Sequence, residues 1–485
     1  MTINSIPFLL FFSVVFAVYY LPIFRSSSKY QNLVLFVASY SFYAYSDWRM
    51  LALLLGATIV YYYLGIWLKK EIDNERWGRV TALTTIGVLL GVGVLLYFKY
   101  LNFFAESIAS VLSSCGLHLS WNTLHIILPV GVSFFTFKLI SYILEINRDS
   151  IEPTKDFVKF GTYIAFFPTI MAGPIDRPNK FIPQLGGARF FNYPLAVDGC
   201  RQILWGLFIK MCIADNIATI TDFAWNNIGM CSRWEMLSVL LLYPIQLYAD
   251  FAGYSDMAIG VSKVLGLKVA RNFDHPFLAR NIADFWRRWH ISLTTWVTDY
   301  VYTPLNYAFR SWGKVGVSFA VIVNLVVIGL WHGANWTYLL FGLYHGLLFI
   351  LLLLLGKFGK KAELRVGRFG MPCIRDLSMI VLTFLIVAIG AVIFRAESVS
   401  QAILFYQSIF FSEECIGLYN NSWVLLTIIL FIPVLVLCEW WSRNEEFPLT
   451  FSEACPIKKW CVYWLLAILI YIFQGTSQDF IYFQF

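Results

Sequence analysis

Charged residues are scarce in this sequence. Asp, Glu, Lys and Arg make up 13% of its 485 residues, about half the share found in soluble domains. A water-facing surface is therefore excluded for most of the chain. Its 59% hydrophobic and 18% aromatic content places it among the integral membrane proteins. The nine cysteines include no CxxC pair and no Cys/His cluster, which argues against a structural zinc site and leaves the thiols as small hydrophobes. There is no basic tail and no recognisable nucleic-acid motif, so nucleic acid is not expected as a partner. The net charge of +7 is gathered into a few loops, as on the cytoplasmic flanks of spans. The first apolar segment, 6–24, lacks a basic n-region and a small-x-small cleavage site, and reads as a retained span. No soluble domain, internal repeat or low-complexity linker interrupts the chain, and 1–485 reads as one membrane unit.

What is present is a succession of apolar blocks. Those at 6–24, 33–45, 51–68, 80–98 and 124–146 have the length of membrane spans or slightly less, and further blocks follow near 200–223 and 237–250. Arg25 and Lys29 mark one loop as cytoplasmic, and Lys69, Lys70, Arg76 and Arg79 mark another, which sets the N-terminus outside. Lys138 and Glu145 share one helix face that must point away from lipid, as structural partners of other helices. Segment 157–177 begins apolar and ends Ala172-Gly173-Pro174-Ile175-Asp176-Arg177. It is expected to dip into the membrane and return, which requires protein cover or a water-filled cavity. In 248–256 two aspartates, two tyrosines and a serine interrupt apolar sequence. They read either as a polar kink or as one wall of a substrate cavity that includes Asp256.

The most basic connection is 263–290, and its second half carries an amphipathic pattern. At 100° per residue, Phe285, Trp286, Trp289, Leu293, Trp296, Val297 and Tyr300 form a stripe opposite Asp284, Arg287, Arg288, Ser292, Thr295 and Asp299. Such a helix is expected in the interfacial plane among membrane lipids. His290 falls at the edge of the stripe, either at headgroup level or at the mouth of a tunnel. Blocks 315–331 and 336–355 then form a hairpin whose turn holds His332. An ionisable group at that depth is costly unless paired or facing a polar cavity. On local grounds two readings stand side by side: a buried histidine bonded to a neighbouring helix, and a functional group. Trp331, Asn335 and Trp336 supply nearby groups able to orient a ligand, and Gly333 leaves room for close approach. His345, on an apolar helix, reads as structural. The last spans fall near 377–394, 423–441 and 460–473, and the chain ends in an aromatic tail, 478–485, expected to tuck back into the protein.

Five stretches together resemble the membrane-bound O-acyltransferase family: FFTFKLISYILEINR (134–148), FFPTIMAGPIDRPNKFIPQL (166–185), YADFAGYSDMAIG (248–260), RNFDHPFLARNIADFWRRWHISLTTWVTDYVYTPL (271–305) and GLWHGANWTYLLFGLYHG (329–346). The resemblance is to its bacterial branch, the membrane subunits for alginate and other polysaccharide O-acetylation, and the terminal FIYFQF (480–485) resembles that branch's acyl-transfer tail. It implies an all-α polytopic fold, a ring of tilted helices around a tunnel with core motifs at about 124–356. His332 matches the catalytic histidine and His290 the second functional one. The resemblance implies acetyl-CoA as donor, bound near Arg287 and Arg288, and no bound cofactor or metal. Tyr482 is the implied acyl acceptor. A serine-esterase-like (SGNH-type) partner outside the cytoplasmic membrane would pass the group to a polysaccharide. Three features depart from the relatives: Lys138 where glutamine is usual, Val297-Thr298 where an aromatic and arginine are frequent, and 307–312 without its glycine-rich turn. Peptidoglycan O-acetylation, teichoic acid D-alanylation and transport without acyl transfer are the alternatives. A transporter is expected to show inverted repeats and paired broken helices, and neither is visible.

Overall fold

The computed structural model describes residues 1–25, 27–117, 126–359, 370–451, 455–476, 478, 480 and 481. Helices dominate, and among the described residues nine are long and apolar enough to cross a membrane. The chain forms two compact units, Met1–Cys200 with Met257–Ala270, and Arg201–Asp256 with Arg271–Phe485.

The first unit opens with α1 (Ile6–Tyr20), α2 (Ser28–Ser46), α3 (Trp48–Asp73) and α4 (Trp77–Leu95), the last continuing through a π-turn at Leu96–Tyr100 into α5 (Leu101–Ser114). The expected span at 6–24 is shorter in the structure. Pro22 forces Leu21 out of the helical region (ψ 142°), so α1 is only 15 residues long, about 22 Å. That falls short of the ~30 Å hydrocarbon core. The block expected at 124–146 is helical only as α6 (Val132–Asn147), because Pro129 and Gly131 stand before it and residues 118–125 lie outside the described set. On α6, Lys138 is fully buried. Its Nζ donates to Thr169 Oγ1 at 3.0 Å and to the Tyr163 carbonyl, in keeping with a structural role.

Helix α7 (Phe157–Ala165) stops as expected, and 166–177 follows as buried turns and extended backbone. Phe166, Phe167, Ile170 and Ala172 have no exposed surface. Non-helical backbone is here wrapped in protein, which is the condition for tolerating it at membrane depth.

Helix α8 (Tyr193–Phe208) passes through a π-turn, Ile209–Ala214, into α9 (Asp215–Asn226), and α10 (Arg233–Val264) follows. The polar kink expected in 248–256 is absent: α10 is one 32-residue helix through that stretch. Its polar side chains are satisfied from outside the helix, so the backbone ladder has no reason to break. Gln202 donates to Asp256 at 2.7 Å, Tyr248 bonds Glu439, and Asn272 donates to Ser255 at 3.0 Å.

The continuous amphipathic helix expected across 284–300 is also corrected. Two short helices, α11 (Ile282–Arg288) and α12 (Ile291–Val297), are separated at Trp289-His290. His290 sits in the left-handed region at φ 44°, rare for a residue with a side chain. A π-turn (Thr298–Tyr302) leads into α13 (Thr303–Ala308). The aromatic stripe does not face lipid: Phe285, Trp286, Trp289 and Trp296 are all buried.

The expected hairpin is present as α14 (Lys314–His332) and α15 (Trp336–Leu354). Glycines bring its arms together. A Cβ on Gly329 would sit 2.2 Å from the Tyr338 carbonyl, and one on Gly342 2.6 Å from the Leu325 carbonyl, so backbone meets backbone as in small-residue membrane interfaces. The remaining helices are α16 (Ile374–Arg395), α17 (Val399–Phe411), α18 (Ser422–Trp441) and α19 (Pro456–Phe473).

Candidate active site

His332 is the last residue of α14. It is 4% exposed and fixed by three rings: Trp331 at 5.0 Å, Phe394 at 4.9 Å and, more distantly, Tyr338 at 6.4 Å between centroids. The helix stops there because Gly333 is extended. The room beside Gly333 is taken by protein, since a Cβ there would meet the Tyr338 ring at 2.2 Å. The close approach expected at Gly333 is thus made by the Tyr338 ring.

The structure brings His290 to His332, with ring centroids 6.4 Å apart, and Trp331 lies against both, 5.4 Å from His290. His290 is fully buried, and burial pushes its imidazole well below the ordinary histidine range, so the ring is neutral. Its left-handed backbone is held by Asn272, whose carbonyl accepts from the Ile291 amide at 2.8 Å. The Asn272 side chain accepts from Ser292 Oγ at 2.6 Å and donates to Ser255 Oγ. Asn272 is thus the residue that sets the turn, and nothing in the sequence pattern singled it out. A side chain kept in the left-handed region needs such over-determination.

His332 lines a cavity of about 30 Å³ together with Leu247, Phe285, Phe341, His345 and Phe394. Asp256, Asn335 and Trp336 are not among its walls. Asp256 accepts from Gln202. The Asn335 amide caps α15 through Thr337 N (3.1 Å) and donates to the Glu397 carbonyl (2.7 Å), and Trp336 is 52% exposed. Arg287 lines a second cavity, about 170 Å³, with Trp286, Tyr302, Asn324 and Phe349. Arg288 is directed elsewhere, to Asp284 at 3.3 Å and the Asp274 carbonyl at 3.1 Å.

The C-terminal tail returns to the protein at the described positions. Phe480 and Ile481 are buried. The Ile481 amide donates to Asp250 Oδ2 at 2.9 Å, and Phe480 stacks on Tyr254 at 4.7 Å. Phe480 also lies 5.8 Å from Phe251, whose ring packs against His290 at 4.7 Å. Behind Asp250 stands a buried cluster in which Lys210 pairs with both Asp215 (2.6 Å) and Asp250 (2.7 Å) and donates to the Gln478 carbonyl. The sequence reading missed this cluster, although Lys210, in the middle of an apolar block, is the signal that could have pointed to it. Tyr482 lies outside the described residues. Among the described residues no group of His, Cys, Asp and Glu is placed to hold a metal ion.

Comparison with known proteins gives the family. The sequence model of MBOAT, the membrane-bound O-acyltransferase family, matches residues 148–394, a stretch holding both histidines. A probable alginate O-acetylase, AlgI, of Pseudomonas aeruginosa is 36% identical over 415 residues, 83% of this chain and 75% of that protein. A peptidoglycan O-acetyltransferase of Helicobacter pylori is 28% identical across 96% of this chain and 93% of its own length. A teichoic acid D-alanyltransferase of Bacillus subtilis is 32% identical over 55% of this chain and 69% of its own length. The chain belongs to the membrane-bound O-acyltransferase family and is a multi-pass membrane acyltransferase.

Proposed function

We propose that this acyltransferase takes an acetyl group from acetyl-CoA at the cytoplasmic face of a bacterial inner membrane. Through Tyr482 it hands that group to an extracytoplasmic serine-esterase-like partner that O-acetylates a polysaccharide. The observation that carries the reading is the seating of the tail. Asp250 holds the Ile481 amide, and Phe480 is one ring away from His290 by way of Phe251, so the residues preceding Tyr482 are fixed near the histidine pair.

In the transfer, the Tyr482 phenol oxygen bonds to the thioester carbonyl carbon and the carbon–sulfur bond breaks. His332 takes the phenol proton and returns it to the departing sulfur, giving free coenzyme A. A phenol with an ordinary pKa of about 10 attacks a thioester slowly without a base, and imidazole suits that task near neutrality. His290 holds the thioester end of the donor. Arg287, half-exposed in the wall of the larger cavity, supplies a charge for the donor phosphates. The relay resolves a geometric problem, because coenzyme A stays inside while the polymer lies outside.

Relatives that overlap most of the chain include O-acetyl transferases named for alginate and for peptidoglycan, which supports a glycan polymer as final acceptor. The D-alanyltransferase overlap is narrower and favours acetyl over D-alanyl. In cells, Tyr482→Phe is expected to abolish acetylation of the surface polymer while the protein still inserts. Undiminished acetylation in that variant removes the relay, and loss confined to peptidoglycan moves the acceptor to the cell wall.

A further inference from the structure

His345 is 1% exposed on α15, and its Nδ1 has no hydrogen-bond partner among the described residues. A buried polar atom left so is costly. The ring is held edge-on by Phe341 (4.6 Å) and Trp286 (5.2 Å). It lines the same cavity of about 30 Å³ as His332, and most of the other walls are carbon, Leu247, Phe277, Phe341, Val387 and Phe394 among them, with the Trp289 indole beside them. On the same scale a single water needs about 10–15 Å³, so the space is that of a group of two or three heavy atoms. The proposed base and an imidazole with an unanswered nitrogen both stand in its wall, and most of the remainder is apolar.

We propose that this cavity is the acyl pocket, closed to chains longer than acetyl, and that His345 donates a hydrogen bond to the acyl carbonyl oxygen. The proposal rests on the acetyl-transfer reading above and adds to it the chain-length limit and a third histidine. As the tetrahedral centre forms, negative charge gathers on that oxygen, and a fixed donor in a dry site is most effective there. The bond changes are those of the transfer already given; His345 gains and loses no proton.

The test uses the purified full-length chain in lipid nanodiscs with radiolabelled acetyl-, propionyl- and butyryl-CoA, reading label bound to the protein. Each surplus methylene in a tight apolar pocket costs about a factor of ten or more, so butyryl is expected to label about 100-fold more slowly than acetyl. Val387→Ala and Phe341→Ala widen the pocket and are expected to bring butyryl within about tenfold of acetyl, a gain that misfolding cannot produce. His345→Phe is expected to lower the acetyl labelling rate by about 100-fold with KM for acetyl-CoA unchanged. Equal labelling of the unaltered chain by acetyl and butyryl overturns the size limit, and an unchanged rate in His345→Phe overturns the carbonyl contact. An unaltered chain that takes label from none of the three donors defeats the acetyl-transfer reading itself.

Discussion

The backbone amide of Ile481 donates to the carboxylate of Asp250 at 2.9 Å, across 231 residues of sequence. Asp250 lies on α10, and its second oxygen pairs with Lys210 at 2.7 Å. The Asp250 carboxylate therefore joins the tail to the buried charge cluster, beside the Lys210 bond to the Gln478 carbonyl, and the first expectation concerns its removal.

Asp250→Ala leaves Lys210 with the Asp215 carboxylate and the Gln478 carbonyl, and frees the Ile481 amide. Breaking one partner of a buried ion pair costs about 3–5 kcal/mol, so a marked drop in thermal stability in detergent is expected together with loss of transfer. Deleting residues 478–485 separates the two effects: transfer is lost, while the charge pair and most of the stability remain. Thermal melts of both variants, paired with labelling assays, check this.

Asn272→Ala removes the amide that bridges Ser255 and Ser292 and leaves the turn at His290 with only the backbone half of its clamp. The loss of two buried side-chain bonds is expected to cost about 1–3 kcal/mol. Transfer should fall by at least tenfold as His290 leaves its left-handed conformation. Turnover that stays at the unaltered level would separate the turn geometry from activity.

Gly329→Val places branched carbon where the Tyr338 carbonyl already stands 2.2 Å from a Cβ position. The arms of the α14–α15 hairpin must separate, and His332 at its tip moves with them. Overpacking of this kind costs about 1–3 kcal/mol or more. The expected outcome is poor recovery of folded protein by size-exclusion chromatography in detergent. A monodisperse, active Gly329→Val protein would contradict the close backbone contact.

The two arginines of α11 are expected to behave differently. Arg287 faces the larger cavity, whereas Arg288 is bonded to Asp284 and the Asp274 carbonyl. Losing a charged hydrogen bond to a donor phosphate is worth about 1.5–3 kcal/mol, so Arg287→Ala should raise KM for acetyl-CoA by tenfold or more. Arg288→Ala should mainly lower stability. Donor titrations of the two variants decide between these roles, and equal KM values would count against Arg287 as a phosphate contact.

Much of this architecture was legible because apolar blocks in a charge-poor chain have few alternatives to spanning helices. Where the reading missed, a local device was invisible to periodicity. The stripe from Phe285 to Tyr300 fits one helical wheel, yet the chain breaks at His290 with no glycine or proline to announce it. The break is imposed by Asn272, a tertiary contact, and it turns the tryptophans inward. The polar run of α10 read either as a kink or as a cavity wall because its partners, Gln202, Glu439, Asn272 and the tail amide, are distant in sequence. His332 and His290 were recognisable from their motifs, and the fold supplies what motifs lack, namely rings 6.4 Å apart. His345 read as structural because an apolar helix gives no sign that a cavity will open at one of its residues.

The most direct test of the account is to incubate purified protein with labelled acetyl-CoA and map the label by peptide mass spectrometry. One acetyl group is expected on Tyr482 in the unaltered chain, and none in His332→Ala, where loss of the base should slow transfer by about 10²–10⁴-fold. An acetyl group found on another residue, or labelling of Tyr482 that persists in His332→Ala, would contradict it.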